Sequence, residues 1–169
     1  AHIKDGVAVT KFLYWIKNSN IRKLDEIKVE KKLESFRKQS KNYLFPSFST
    51  IAGSGPNGAI IHYRSNKKSN RKLNKDHLLL VDSGGQYKWG TTDITRTISF
   101  SDPSKKTKEL YTRVLKGHIA VAMSKIDKLK NGNNIDKLAR KSLNSINLDY
   151  RHGTCLLYTS DAADEYSRG

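Results

Sequence analysis

Asp82 ends an apolar run, Leu78-Leu79-Leu80-Val81, and Asp93 opens a second β-type run after Gly84-Gly85-Gln86-Tyr87-Lys88-Trp89-Gly90. A hairpin centred near Tyr87-Lys88 would set the two carboxylates opposite one another. Directly opposed residues on one face of a hairpin have Cβ atoms about 4.5–5.5 Å apart, where two like charges destabilise the pairing unless something neutralises them. A divalent cation does so, and two carboxylates at this separation can share a dinuclear site whose ions lie about 3.5–4 Å apart, with room for a bridging hydroxide. Carboxylate oxygens suit Mg or Mn, and imidazole admits Zn or Co. Asp beside Gly is also ordinary turn chemistry, so spacing alone leaves both readings standing.

The histidines divide by context. His62 closes an apolar run beside Tyr63, and His152 lies in Asp149-Tyr150-Arg151-His152-Gly153-Thr154, where Gly permits close approach of backbone to a ligand. His118 falls inside a helical pattern, and His2 and His77 sit among charged neighbours, positions where a surface histidine is ordinary.

The elements that must hold these residues follow from periodicity. Val7, Val9, Phe12, Leu13 and Ile16 recur at helical spacing until Asn18-Ser19-Asn20, and Asp25 to Ser40 repeats the pattern through Ile27, Leu33 and Phe36. From Phe48 to Phe100 the texture changes to short β-type runs: Ser49–Ala52, Ala59–Tyr63, Leu78–Asp82 and Asp93–Phe100. Asp102-Pro103-Ser104 then opens a long helix through Leu110, Val114, Ile119, Ala122 and Ile126, and Ile135 to Ile146 reads as another after Asn131-Gly132-Asn133. Helices grouped around one antiparallel sheet predict an α+β fold in a single domain.

Composition narrows the function classes. Lys and Arg number 32 against 16 Asp and Glu, a net charge of +16, which taken alone would favour a nucleic acid partner. The lysines, however, are spread through helices and loops and interleaved with Glu30, Glu34, Ser and Asn, as on a solvated face. No nucleic-acid-binding fingerprint accompanies them, so no nucleic acid partner is expected. One cysteine, Cys155, excludes an internal disulfide and a cysteine-rich zinc module and fits a reducing, cytoplasmic compartment. No apolar stretch reaches transmembrane length, so no membrane partner is expected. Ala1-His2-Ile3-Lys4-Asp5 reads as an internal start.

Taken together, Gly53-Ser-Gly-Pro-Asn-Gly-Ala-Ile-Ile-His62-Tyr63, Val81-Asp82-Ser-Gly-Gly-Gln-Tyr87, Gly90-Thr-Thr-Asp93-Ile-Thr-Arg-Thr97 and Leu148-Asp-Tyr-Arg-His-Gly-Thr154 resemble the aminopeptidase P (Xaa-Pro aminopeptidase) family. His2-Ile-Lys-Asp-Gly-Val-Ala-Val9 and Lys116-Gly117-His118-Ile-Ala120 are similar to it as well, so the resemblance runs from Ala1 to Thr154. It implies a pita-bread fold, helices around a curved antiparallel sheet, here in part. The implied activity is release of the N-terminal residue from peptides with proline in second position, with two divalent ions, commonly manganese. Carried onto matching positions, Asp82 would chelate one metal, Asp93 would bridge both, and His62 and His152 would hold the substrate and help move protons. The resemblance also implies a homodimer in the full-length protein.

The chain departs from the family pattern after Thr154. The family continues with Gly-His-Gly, whose histidine is a metal ligand, and Cys155 and Leu156 occupy those places. Two later glutamates complete the family's five ligands, and Glu165 has neither their surroundings nor their spacing. Residues 1–154 thus read as the N-terminal portion of the catalytic domain and 155–169 as a non-native tail, similar to translated sequencing adaptor. No appreciable peptidase activity is expected of the chain as written. The competing readings are a non-catalytic pita-bread module that binds proteins and, on charge alone, a nucleic-acid-binding domain.

Overall fold

The computed structural model describes residues 1–125 and 131–154. They fall into two compact units, divided after Asp102.

In the first unit, α1 (His2–Lys17) buries Ala8, Val9, Phe12 and Ile16, a stripe at three- and four-residue spacing that Asp5 extends by one turn. The helix α2 (Glu26–Arg37) starts at Asp25, whose carboxylate accepts from the Lys28 amide at 2.9 Å. Such a cap contributes about 1 kcal/mol. Its buried face, Glu26, Val29, Leu33 and Arg37, is apolar in the middle and charged at both ends. Six strands follow: β1 (Tyr43–Pro46), β2 (Ile51–Ser54), β3 (Leu78–Ser83), β4 (Gly85–Tyr87), β5 (Gly90–Thr91) and β6 (Ile94–Ser99). The fold is α+β with antiparallel pairing throughout, as expected, but the strands divide into two three-stranded sheets, β1-β4-β5 and β2-β3-β6.

Gly84 makes that division. β3 and β4 are separated by this one residue, and a Cβ there would collide with the Thr92 carbonyl oxygen and with Ser47 Oγ. Only glycine lets the chain pass so close while leaving one sheet for the other. Along β3 burial alternates: Leu79, Val81 and Ser83 face inward, and Leu78, Leu80 and Asp82 lie on the more open face. Val9, Phe12 and Ile16 from α1 and Val29 and Leu33 from α2 meet Ala52, Leu79, Val81 and Ile98 in one apolar core. The helices thus cover the inner face of the β2-β3-β6 sheet, and Asp82 lies on the other face.

The run 59–63 is not the strand that its apolar residues suggest. After β2 the chain enters a 3-10 turn, Gly55–Ala59, with Gly55 at φ +58°, and turns again through His62 at φ 53°. Ile60 and Ile61 are exposed, whereas Asn57 and Tyr63 are buried. What overrides the strand pattern is polar anchoring: the side chains of Asn57 and Tyr63 both donate to the buried carboxylate of Glu26. The short strands β1, β4 and β5 escaped the sequence reading because Pro46, Gly85 and Gly90 read as turn residues. β1 is an edge strand, where proline is tolerated.

In the second unit, α3 (Lys105–Ala122) is capped by Ser104, whose hydroxyl accepts from the Thr107 amide at 3.1 Å. Asn131 likewise caps α4 (Gly132–Asn144), accepting from the Asn134 amide at 3.1 Å. Arg113 of α3 donates to the Ser142 carbonyl at 3.0 Å and to Ser145 Oγ at 3.1 Å, tying the two helices together. Ile126, expected at the end of α3, and the segment 155–169 lie outside the described residues. Among the described residues no helix is long and apolar enough to cross a membrane.

Candidate metal centre

Asp82 and Asp93 come together, though not as directly opposed residues. The tight turn lies at Lys88-Trp89, with Tyr87 facing Gly90, one residue later than expected. Moving a hairpin's centre by one position moves its pairing by two, so Asp82 faces Thr95 and Ser83 faces Ile94. A shift of two preserves the face, and Asp93 remains diagonal to Asp82 at the end of the ladder. Thr95 Oγ1 donates to Asp82 Oδ1 at 2.8 Å.

The electrostatics register the crowding. Asp93 is exposed on one side, yet desolvation by the atoms around it pushes its carboxyl above the usual range. The charge of Asp82 and a hydrogen bond shared with it push the same way, against a smaller opposing pull from His2. This like-charge tension is what a divalent cation relieves, and two carboxylates offer oxygen ligands that suit one. They fit as part of a site. Among the described residues no group of three His, Cys, Asp or Glu could hold a metal ion.

A pH dependence follows. Because the folded pKa of Asp93 is raised, its contribution to stability is fully present below the usual value of 3.8 and is lost as pH rises through the folded pKa. Asp93→Asn should therefore flatten this part of the metal-free stability profile and leave the chain slightly more stable at neutral pH. Urea midpoints of the two proteins across acid to neutral pH check this; parallel profiles would contradict the like-charge account.

His62 lies on the turn that follows β2, its backbone in the left-handed region. No hydrogen bond or ion pair among the described residues joins it to either carboxylate. Its placement is governed instead by its neighbour Tyr63, whose hydroxyl donates to Glu26 Oε2 at 2.7 Å. His152 belongs to the second unit. Its ring stacks on Tyr150 with centroids 4.4 Å apart, and Arg140 clamps the loop by donating to the carbonyls of Tyr150 and His152, both at 2.6 Å. Arg140 also pairs with Asp136 and Asp149, each at 2.7 Å.

Behind the carboxylates lies a buried polar cluster that the sequence reading missed. Arg37 Nε donates to Asp5 Oδ1 at 2.7 Å and Nη2 to Asp5 Oδ2 at 3.1 Å; Nη2 also reaches Ser83 Oγ at 3.1 Å. Tyr87 OH donates to Asp5 Oδ1 at 2.9 Å and Thr92 Oγ1 to Asp5 Oδ2 at 2.8 Å. A signal was present. Asp5 shares its helix face with Ala8, Val9 and Phe12, Arg37 continues Val29 and Leu33 at four-residue spacing, and opposite charges on two core-facing stripes need each other.

The comparisons agree with this architecture. The model of metallopeptidase family M24 matches residues 1–163. A Xaa-Pro aminopeptidase of Drosophila melanogaster is 45% identical over 156 residues, covering 91% of this chain and 25% of that protein. Xaa-Pro aminopeptidase 1 of Dictyostelium discoideum is 43% identical over 159 residues, covering 91% and 25%. Among solved structures, an X-prolyl aminopeptidase from Caenorhabditis elegans, described as a cytosolic enzyme with a di-nuclear active site, superposes with a TM-score of 0.80 at 34% identity over 90% of this chain and 25% of that one. A Xaa-Pro dipeptidase from Bacillus anthracis gives 0.71 at 30% identity, over 86% and 38%. The chain belongs to metallopeptidase family M24, and its fold is part of the pita-bread architecture. It spans about a quarter of the length of the curated relatives it matches.

Proposed function

We propose that residues 1–154 are the N-terminal portion of the catalytic domain of a dimetal Xaa-Pro aminopeptidase and that 155–169 form a non-native tail. The observation that carries the reading is the pair Asp82 and Asp93, two carboxylates beside one another at the end of the β3–β6 ladder, with the proton affinity of Asp93 raised by desolvation and by the charge of Asp82. Asp82 would hold one divalent ion and Asp93 would bridge two, with manganese the expected metal. Such ions supply Lewis-acid polarisation of the scissile carbonyl. His62 and His152 would hold the peptide and carry a proton to the departing proline nitrogen, a role suited to imidazole near neutral pH. The substrate's tertiary amide has no N–H, so a shaped proline pocket must select it. A homodimer of the full-length protein and a cytoplasmic location belong to the same reading.

The 169-residue chain itself is expected to be inactive, because two carboxylates fall short of the donor set that two ions require. The test has two parts. Titrating the metal-free chain with Mn2+ should show weak binding that Asp93→Asn abolishes, and binding unchanged by that substitution would overturn the metal assignment. The product of the whole gene, resequenced across the codon for Thr154, should cleave a fluorogenic peptide with proline in second position. Loss of that activity in His62→Ala and His152→Ala would support their roles. The second reading, a non-catalytic protein-binding module, is favoured by Leu156 where the family has a ligand; an inactive gene product that retains Cys155-Leu156 would select it.

A further inference from the structure

We propose that the buried Asp5–Arg37 pair is a positioning device for the two metal-binding carboxylates, acting through Ser83 and Thr92, the chain neighbours of Asp82 and Asp93. The inference rests on the assignment of those carboxylates to metal. Its basis is where the backbone ladder stops. The pairing of β3 with β6 ends at Ser83 and Ile94, Gly84 carries the chain into the other sheet, and Asp93 sits at this break beyond the last ladder pair.

Side chains take over there. Arg37 Nη2 holds Ser83 Oγ at 3.1 Å from the core side, and Asp5 Oδ2 accepts from Thr92 Oγ1 at 2.8 Å. The same Thr92 hydroxyl accepts from the Gly85 amide at 2.9 Å, and the Thr92 amide donates to the Gly85 carbonyl at 2.9 Å. One ion pair from α1 and α2 therefore grips both strands of the hairpin, one residue from each carboxylate. Both partners are shielded from water, with side-chain exposures of 0% for Arg37 and 2% for Asp5. The grip fixes the spacing of the two strands where the backbone ladder no longer does. Among the described residues Arg37 Nη1 is buried without a hydrogen-bond partner.

The test separates positioning from stability. Metal-free chains carrying Thr92→Val, Thr92→Ser and Ser83→Ala are titrated with Mn2+ by electron paramagnetic resonance, with Asp93→Asn as control, and their melting temperatures are recorded. Thr92→Val should weaken Mn2+ binding about 10-fold or more, Ser83→Ala by several-fold, and Thr92→Ser should restore binding to within about twofold of the parent, the scale expected of groups that orient metal ligands. If the control abolishes binding while Thr92→Val and Ser83→Ala bind Mn2+ as the parent does and only melt lower, the pair is structural and the inference falls by itself. If the control binds Mn2+ as the parent does, the metal assignment falls and the inference with it. Ser83→Ala keeps the test open should Thr92→Val not fold.

Discussion

Arg37→Met is expected to destabilise the first unit by about 3–5 kcal/mol, because it removes one partner of a buried ion pair and strands the other. Asp5 would keep its hydrogen bonds from Tyr87 and Thr92 but lose its cation. Burial alone would raise the pKa of Asp5. Hydrogen bonds from Arg37, Thr92 and Tyr87, together with the charge of Arg37, outweigh burial and hold the carboxyl below the usual range. A depressed folded pKa means that this stability is present above the usual value of 3.8 and is lost as pH falls through the folded pKa. The deficit of Arg37→Met should therefore be largest near neutral pH and shrink in acid, where Asp5 takes up a proton. Adding Asp5→Asn should recover part of the loss, since an amide tolerates burial without a cation and still accepts from one hydroxyl. Urea unfolding of the single and double variants at neutral and acid pH checks this. A double variant as unstable as the sum of the singles would show that the charges are not the issue.

Glu26→Gln is the second large effect, about 2–3 kcal/mol, although the two side chains differ by one atom's chemistry. Glu26 is buried at the first turn of α2, and everything it meets is a donor. The Ser54 amide lies 2.7 Å from Oε1; Asn57 Nδ2 lies 3.0 and 3.1 Å from the two oxygens; Tyr63 OH and the Arg71 amide lie 2.7 and 2.9 Å from Oε2. The positive end of the helix dipole adds to these in stabilising a buried carboxylate. Glutamine would turn one oxygen into an NH2 group. In either orientation that group faces a backbone N–H, of Ser54 or of Arg71, leaving buried donors unpaired. The damage should centre on the turn that carries His62, because Asn57 and Tyr63 are the anchors released. Hydrogen exchange at residues 57–63 should accelerate in the variant while that of β3 changes little. An unchanged urea midpoint would show that the carboxylate's charge is dispensable there.

The sequence alone carried whatever depends on neighbours along the chain. Stripes of apolar residues located α1 and α2, the run Leu78–Val81 located β3, and Asp102-Pro103-Ser104 marked the start of α3. That Asp82 and Asp93 come close was legible because a short hairpin between two β-type runs brings the facing ends of those runs together. The family was legible because its motifs are contiguous and ordered. The partners were decided by tertiary structure. The turn settled at Lys88-Trp89, where β4 can pair with both β1 and β5, and that set Asp82 against Thr95. Residues 59–63 left the sheet because Asn57 and Tyr63 reach a carboxylate 31 and 37 positions away in sequence. Asp5 and Arg37 found each other across 32 positions, and Thr92 joined them from 87. Periodicity records which face a residue takes up; a buried polar group needs a specific partner, and only the folded chain brings that partner within reach.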